Sequence, residues 1–123
     1  MYEVSVKAHF SAAHRLKGYK GSCENLHGHN WEVAVFVRGT KLDSTGLLVD
    51  FHDVKDAVRT TLAELDHSDR NEAAGLKGKN PSSENIAEYL YRTLRKTFGS
   101  KKLYVHRVRV QETPGNAVSF WEE

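Results

Sequence analysis

From His29 to Arg38 the sequence carries an apolar residue at every second position, Trp31, Val33, Val35 and Val37. That period belongs to a strand with one face in a core. His29 and His27 continue the same parity upstream. A strand that buries the valines therefore presents both imidazoles on one face, just beyond the apolar row, with Gly28 leaving room between them. Two imidazoles so placed begin a transition-metal site without completing it. The remainder of the chain has to cover this strand and, if the site is real, supply a third ligand and something that moves protons.

A matching strand precedes it. Between Tyr2 and Phe10, Val4, Val6, Ala8 and Phe10 alternate with Glu3, Ser5, Lys7 and His9, the pattern of a half-buried strand. Carrying that parity through Ala12 brings His14 to the apolar face. A glycine-spaced loop, Lys17 to Ser22, then leads to Cys23 and the histidine pair. Two strands thus deliver His14, His27 and His29 from matching faces near their ends.

After a turn at Lys41–Gly46 and the short apolar run Leu47–Val49, Asp50 is a suitable cap for a helix. Val54, Val58, Leu62 and Leu65, flanked by Phe51, Ala57 and Thr61, form its stripe, and Asp66-His67 falls at its C-terminal end. The polar segment Ser68–Asn80 reads as a loop. Pro81-Ser82-Ser83-Glu84-Asn85 starts a second helix with Ser82 as cap; Ile86, Leu90 and Leu94, backed by Ala87, Tyr91 and Phe98, are its stripe, and Gly99 its stop. Leu103 to Glu112 is a third strand with Val108 and Val110 on one face, and by parity Glu112 shares it. Pro114-Gly115-Asn116 makes a hairpin to a last strand, Ala117–Trp121. The order ββααββ predicts an α+β fold: one domain over residues 1–123, a four-stranded, mostly antiparallel sheet with both helices on one face.

Composition narrows the class. At 123 residues, 39% hydrophobic and 28% charged, the chain suits one globular domain with a thin core, some of whose apolar surface is expected between subunits. A net charge of +2 with no basic cluster interleaved with aromatics argues against nucleic acid, while a small polyanionic substrate is compatible. No apolar run reaches transmembrane length and no signal-peptide pattern opens the chain, so no membrane partner is expected. One cysteine excludes an intrachain disulfide; the expectation is a reducing, cytoplasmic setting.

Three imidazoles from adjoining strands are a catalytic-type zinc set, since three protein ligands leave a fourth position open. Ordinary strand histidines are the bland alternative, and the third residue on matching parity weighs against it. Cys23 admits three readings: a fourth ligand closing a structural His3Cys site, a base or nucleophile with a lowered pKa, or a small buried hydrophobe. Asp66-His67 could be a base and its orienting partner. A carboxylate at a helix C-terminus opposes the macrodipole by about 0.3–1 kcal/mol, so Asp66 is mildly out of place as decoration. Glu112, on an inward parity, must find donors or become neutral, and a planar ligand edge with two N–H groups would satisfy it. A frayed, solvated strand end is the alternative there.

Taken together, Ala13-His14-Arg15-Leu16, Cys23-x-x-x-His27-Gly28-His29, Gly46-Leu-Leu-Val-Asp50-Phe51, Leu65-Asp66-His67, Pro81-Ser-Ser-Glu84-Asn85 and Glu112-Thr113 resemble, in order and across essentially the whole chain, the 6-pyruvoyl-tetrahydropterin synthase family. The three residues between Cys23 and His27 are most similar to its prokaryotic branch, the 6-carboxy-5,6,7,8-tetrahydropterin synthases of queuosine biosynthesis. The resemblance implies the tunnelling fold, in which three subunits close their sheets into a barrel and two trimers stack into a homohexamer with sites between subunits. It implies Zn2+ on His14, His27 and His29, proton transfer by Cys23 with Asp66 and His67 as relay, and Glu112 as the pterin anchor. The implied reaction converts 7,8-dihydroneopterin triphosphate to 6-carboxytetrahydropterin with release of acetaldehyde and triphosphate. Arg70 departs from the pattern, standing where a leucine is common.

Overall fold

A computed structural model describes the backbone of residues 1–14, 27–67 and 82–123, and the side chains of residues 1–10, 30–65 and 82–123. Cys23, the loop at Lys17–Ser22, the segment Ser68–Asn80 with Arg70, and Pro81 lie outside the described residues. The elements run β1 (Tyr2–His14), β2 (His27–Gly39), α1 (Phe51–His67), α2 (Ser83–Thr97), β3 (Leu103–Thr113) and β4 (Asn116–Phe120). The strands form one antiparallel sheet in the order β1-β2-β3-β4, as the sequence order ββααββ predicts. Helix α1 lies against β1, and α2 against β3 and β4.

The alternating rows pair with each other. Val4 stands opposite Val37, Val6 opposite Val35, Ala8 opposite Val33 and Phe10 opposite Trp31. On the next strand Val33 meets Val110 and Val35 meets Val108. Trp31, Val33, Val35 and Val37 are wholly buried, with the stripes of both helices packed over them. Each fully buried side chain of this size contributes about 1.5–3 kcal/mol. Phe10 and Trp31 meet edge to face, with ring centroids 4.8 Å apart.

Both helices start where their caps stand. The Asp50 carboxylate accepts from the His52 N–H at 2.8 Å, and the Ser82 hydroxyl from the Asn85 N–H at 3.2 Å, each satisfying a donor the first turn leaves unpaired. Buried Thr61 donates its hydroxyl to the Ala57 carbonyl at 2.9 Å and so costs the core no unpaired polar atom.

Three details differ from the sequence expectation. Phe51 is 57% exposed: it owes its place to the Asp50 cap rather than to packing, and the stripe of α1 begins at Val54. Val105 joins Val108 on the core face although an odd interval separates them, because a bulge opposite Phe36 and Val37 inserts His106 and shifts the phase. Helix α2 ends at Thr97, two residues before Gly99, with the Phe98 N–H closing on the Leu94 carbonyl. Gly99 is required there by close approach, since a Cβ would lie 2.1 Å from the Arg95 carbonyl oxygen. At the β3–β4 turn, by contrast, Gly115 has a φ of 91°, which the third position of a Pro-Gly turn demands.

Arg95 and Tyr91 tie α2 to the sheet. Arg95 Nη1 donates to the Tyr91 Oη at 2.9 Å and to the Val105 carbonyl at 3.1 Å, and the Glu122 N–H donates to the same phenol oxygen at 3.3 Å. The wholly buried Tyr91 thus brings a hydroxyl into the core with partners supplied from α2 and from the chain after β4.

Candidate functional site

The sheet register decides where the candidate residues go. Beyond Phe10–Trp31 the β1–β2 ladder continues with Ala12 opposite His29 and His14 opposite His27. Alternation keeps all three histidine positions on the face that carries Phe10 and Trp31, at one end of the sheet. In an antiparallel pair, directly opposed residues lie about 4.5–5.5 Å apart, which is the backbone separation this pairing gives His14 and His27.

The antiparallel direction of β3 brings Glu112 to that same end. Glu32 pairs with Gln111, so Glu112 falls one step further along, toward the histidine end of β2. The β3–β4 register shifts between Gln111 and Thr113, which sets Glu112 at an irregularity where the ladder bends. Its carboxylate is half-buried and accepts a hydrogen bond from the Ser83 hydroxyl at 3.3 Å. Ser83 is buried in the first turn of α2, so the carboxylate lies beside the positive end of that helix. A cavity of about 400 Å³ opens here, lined by Ser82, Ser83, Glu112 and the Gly115–Val118 segment.

Asp66 and His67 are the last two residues of α1. The Tyr89 hydroxyl donates to Glu64 at 2.9 Å, pinning the last turn of α1 to the second turn of α2. Burial, and then the Glu64 carboxylate, push the Tyr89 pKa up, which keeps this phenol a donor across the working pH range. The backbone of Asp66 and His67 is therefore held close to the start of α2, at the end of the molecule where Ser83 meets Glu112. The chain between β1 and β2, which carries Cys23, leaves His14 and returns at His27, and so is rooted at this end too.

Sequence reasoning singled out Glu112 as a candidate and did not single out Ser83, which the structure sets against it. A serine directly after a capping serine reads as part of the helix start, and its partner is 29 residues away. The only local hint was the doubled hydroxyl in Ser82-Ser83, since one hydroxyl suffices to cap a helix.

Residues 3–123 match the sequence profile described as 6-pyruvoyl tetrahydropterin synthase. Over 109 residues, 89% of this chain and 86% of the relative, the sequence is 38% identical to a protein of Archaeoglobus fulgidus provisionally named 6-carboxy-5,6,7,8-tetrahydropterin synthase. It is 31% identical to the 6-pyruvoyl tetrahydrobiopterin synthase of Drosophila melanogaster, over 90% of this chain and 74% of that one. Among solved structures, the 6-pyruvoyl tetrahydropterin synthase of Caenorhabditis elegans superposes with a TM-score of 0.82 at 27% identity, covering 99% of this chain and 96% of the other. Sheet order, helix placement and near-complete coverage agree, and the chain belongs to the 6-pyruvoyl tetrahydropterin synthase family of tetrahydropterin synthases, with its tunnelling fold.

Proposed function

We propose that this protein is a zinc-dependent lyase that converts 7,8-dihydroneopterin triphosphate to 6-carboxy-5,6,7,8-tetrahydropterin, releasing acetaldehyde and triphosphate, on the route to queuosine. The observation that carries the reading is the gathering, at one end of the sheet, of the His14–His27 pair, His29 and the Ser83–Glu112 hydrogen bond. The branch follows from the Cys23-x-x-x-His27 spacing and from the names of the prokaryotic relatives, which include a 32% identical 6-carboxy-5,6,7,8-tetrahydropterin synthase of Synechocystis.

In this reading His14, His27 and His29 hold Zn2+. Support for this comes from the register, which gives the three histidine positions one parity at one end of the sheet, and three imidazole ligands would leave a fourth position open. When bound, the ion supplies Lewis acidity toward the oxygens of the substrate side chain. The protein's own groups do the rest. Glu112 receives the amino-pyrimidinone edge of the pterin, a planar double donor suited to a carboxylate, and Ser83 orients it. Cys23 and His67, whose side chains can exchange protons near neutral pH, carry protons to and from the substrate side chain, with Asp66 fixing the imidazole tautomer.

The working form in this reading is a cytoplasmic homohexamer of two stacked trimers. Strands β1 and β4 end the sheet order, and among the described residues the 13-residue β1 has a second strand on only one side, which leaves an edge for another copy to join. Among the described residues no helix is long and apolar enough to cross a membrane.

A competing product is favoured by the Drosophila relative: a pyruvoyl-forming enzyme eliminates triphosphate and keeps the three-carbon side chain. Incubation with 7,8-dihydroneopterin triphosphate and mass spectrometry of the products separates the two. Acetaldehyde and a carboxylated pterin are expected. A retained three-carbon side chain without acetaldehyde replaces the carboxy reading by the pyruvoyl one.

A further inference from the structure

The face of the sheet turned away from the helices carries a cluster of cations that the proposed chemistry does not use. Register fixes the neighbours. Lys7, Ala34, Arg109 and Ser119 form one row across all four strands, and Phe36 and Arg107 pair in the next. Arg107 and Arg109 are two apart on β3, on the same side and about 6.6 Å from each other along the strand.

Among the described residues neither guanidinium meets a carboxylate. Arg107 lies flat over the Phe36 ring, 4.3 Å from its centroid, and Arg109 donates to the neutral Gln111 side chain at 3.1 Å. The carboxylates on this face are engaged elsewhere: Glu32 sits 3.6 Å from Lys7 and 3.3 Å from His9, and Glu3 takes Arg38 at 2.7 Å. Both arginines are only half-exposed, so their charge is partly withdrawn from water. Between Lys7 and Arg109 the row holds Ala34, which is 3% exposed, and on the far side of Arg109 stands Ser119 with its hydroxyl.

His106 stands in the bulge beside Arg107. Burial first, then Arg38 and Arg107, hold its pKa below 6.5, and nearby Glu3 does not reverse the direction.

We propose that Arg107 and Arg109, with Ser119 beside them, form a binding site for an inorganic polyphosphate on the helix-free face of the sheet. Guanidinium forks match the paired oxygens of a phosphoryl group, and a second fork one strand repeat away suits an anion with several phosphoryl groups.

Titration calorimetry with inorganic triphosphate at low salt tests this on the full chain. Wild-type protein is expected to bind saturably, and Arg107→Gln/Arg109→Gln to bind at least about tenfold more weakly with unchanged circular dichroism. Arg107→Lys/Arg109→Lys keeps the charge but not the forks, and is expected to fall between. The control Lys55→Gln/Arg59→Gln removes as much charge from α1, on the helix side of the sheet, and should bind like wild type. Absence of saturable binding, an affinity within twofold of wild type in the Gln pair, or an equal loss in the α1 control overturns the proposal.

Discussion

His14 stands opposite His27 in the β1–β2 ladder, four pairs beyond Phe10–Trp31, with Ser11–Asn30, Ala12–His29 and Ala13–Gly28 between them. One unbroken register therefore links the most deeply buried row of the sheet to the three histidine positions. A one-residue slip would turn the valines out of the core together with the histidines, so core packing and site assembly enforce the same alignment.

This link makes the metal prediction specific. Single His14→Ala, His27→Ala and His29→Ala variants are expected to lose most bound zinc, measured by plasma mass spectrometry on gel-filtered protein, while keeping the sheet that the valine row holds together. Cys23→Ala is expected to retain near-stoichiometric zinc and lose activity. Loss of zinc and of thermal stability together in Cys23→Ala would instead mark a closed His3Cys structural site.

The Ser83–Glu112 hydrogen bond predicts a graded response at the pterin end. Removing one neutral donor to a carboxylate at this distance costs about 1 kcal/mol, which is about fivefold. Ser83→Ala is therefore expected to raise KM by about that factor with kcat little changed, and Ser83→Thr to restore it. Glu112→Gln replaces the acceptor pair by an amide that presents a donor to the pterin edge, and activity should fall by more than a hundredfold, or about 3 kcal/mol. Steady-state kinetics on both variants checks the order; equal effects would remove Ser83 as the orienting partner.

Tyr91 offers a stability test away from the site. Its phenol oxygen takes hydrogen bonds from Arg95 and from the Glu122 N–H in a wholly buried position. Tyr91→Phe keeps the ring, including its edge-to-face contact with Phe120 at 5.2 Å, and leaves those donors without their acceptor. Urea unfolding should show a loss of about 1–3 kcal/mol.

Much of this architecture could be read in the sequence because the informative residues repeat at a fixed period. Val33, Val35 and Val37 could not be buried as a helix, and the parity that joins them to His27 and His29 survives folding intact. What the sequence hid is what breaks a period or spans distance. Val105 reaches the core only through the bulge at His106, which no pattern of residue types announces. Ser83 meets Glu112 because α2 packs against β3, a tertiary fact. Phe51 fitted the helical stripe yet is exposed, since periodicity says which residues share a face and not where the sheet beneath begins. The row of Lys7, Ala34, Arg109 and Ser119 needs four strands in register, so no single stretch of sequence carries it.

His106 gives the pH prediction. Burial first, and then the cations Arg38 and Arg107, disfavour its protonated form, so its folded pKa lies below the 6.5 of the unfolded chain. Between those two values the unfolded state binds more protons than the folded one, and stability rises with pH. The contribution of His106 is fully present above pH 6.5 and is lost as pH falls through the folded value. Wild-type protein should therefore lose stability, read as the urea midpoint, between pH 7.5 and pH 5, with carboxylates adding to the loss at the acid end. His106→Gln removes the titrating group while keeping a polar side chain, and its midpoint should fall less over the same interval. The difference between the two curves isolates the histidine from every other titrating group. It should open below pH 6.5, and a variant curve parallel to wild type would show that His106 titrates alike in both states.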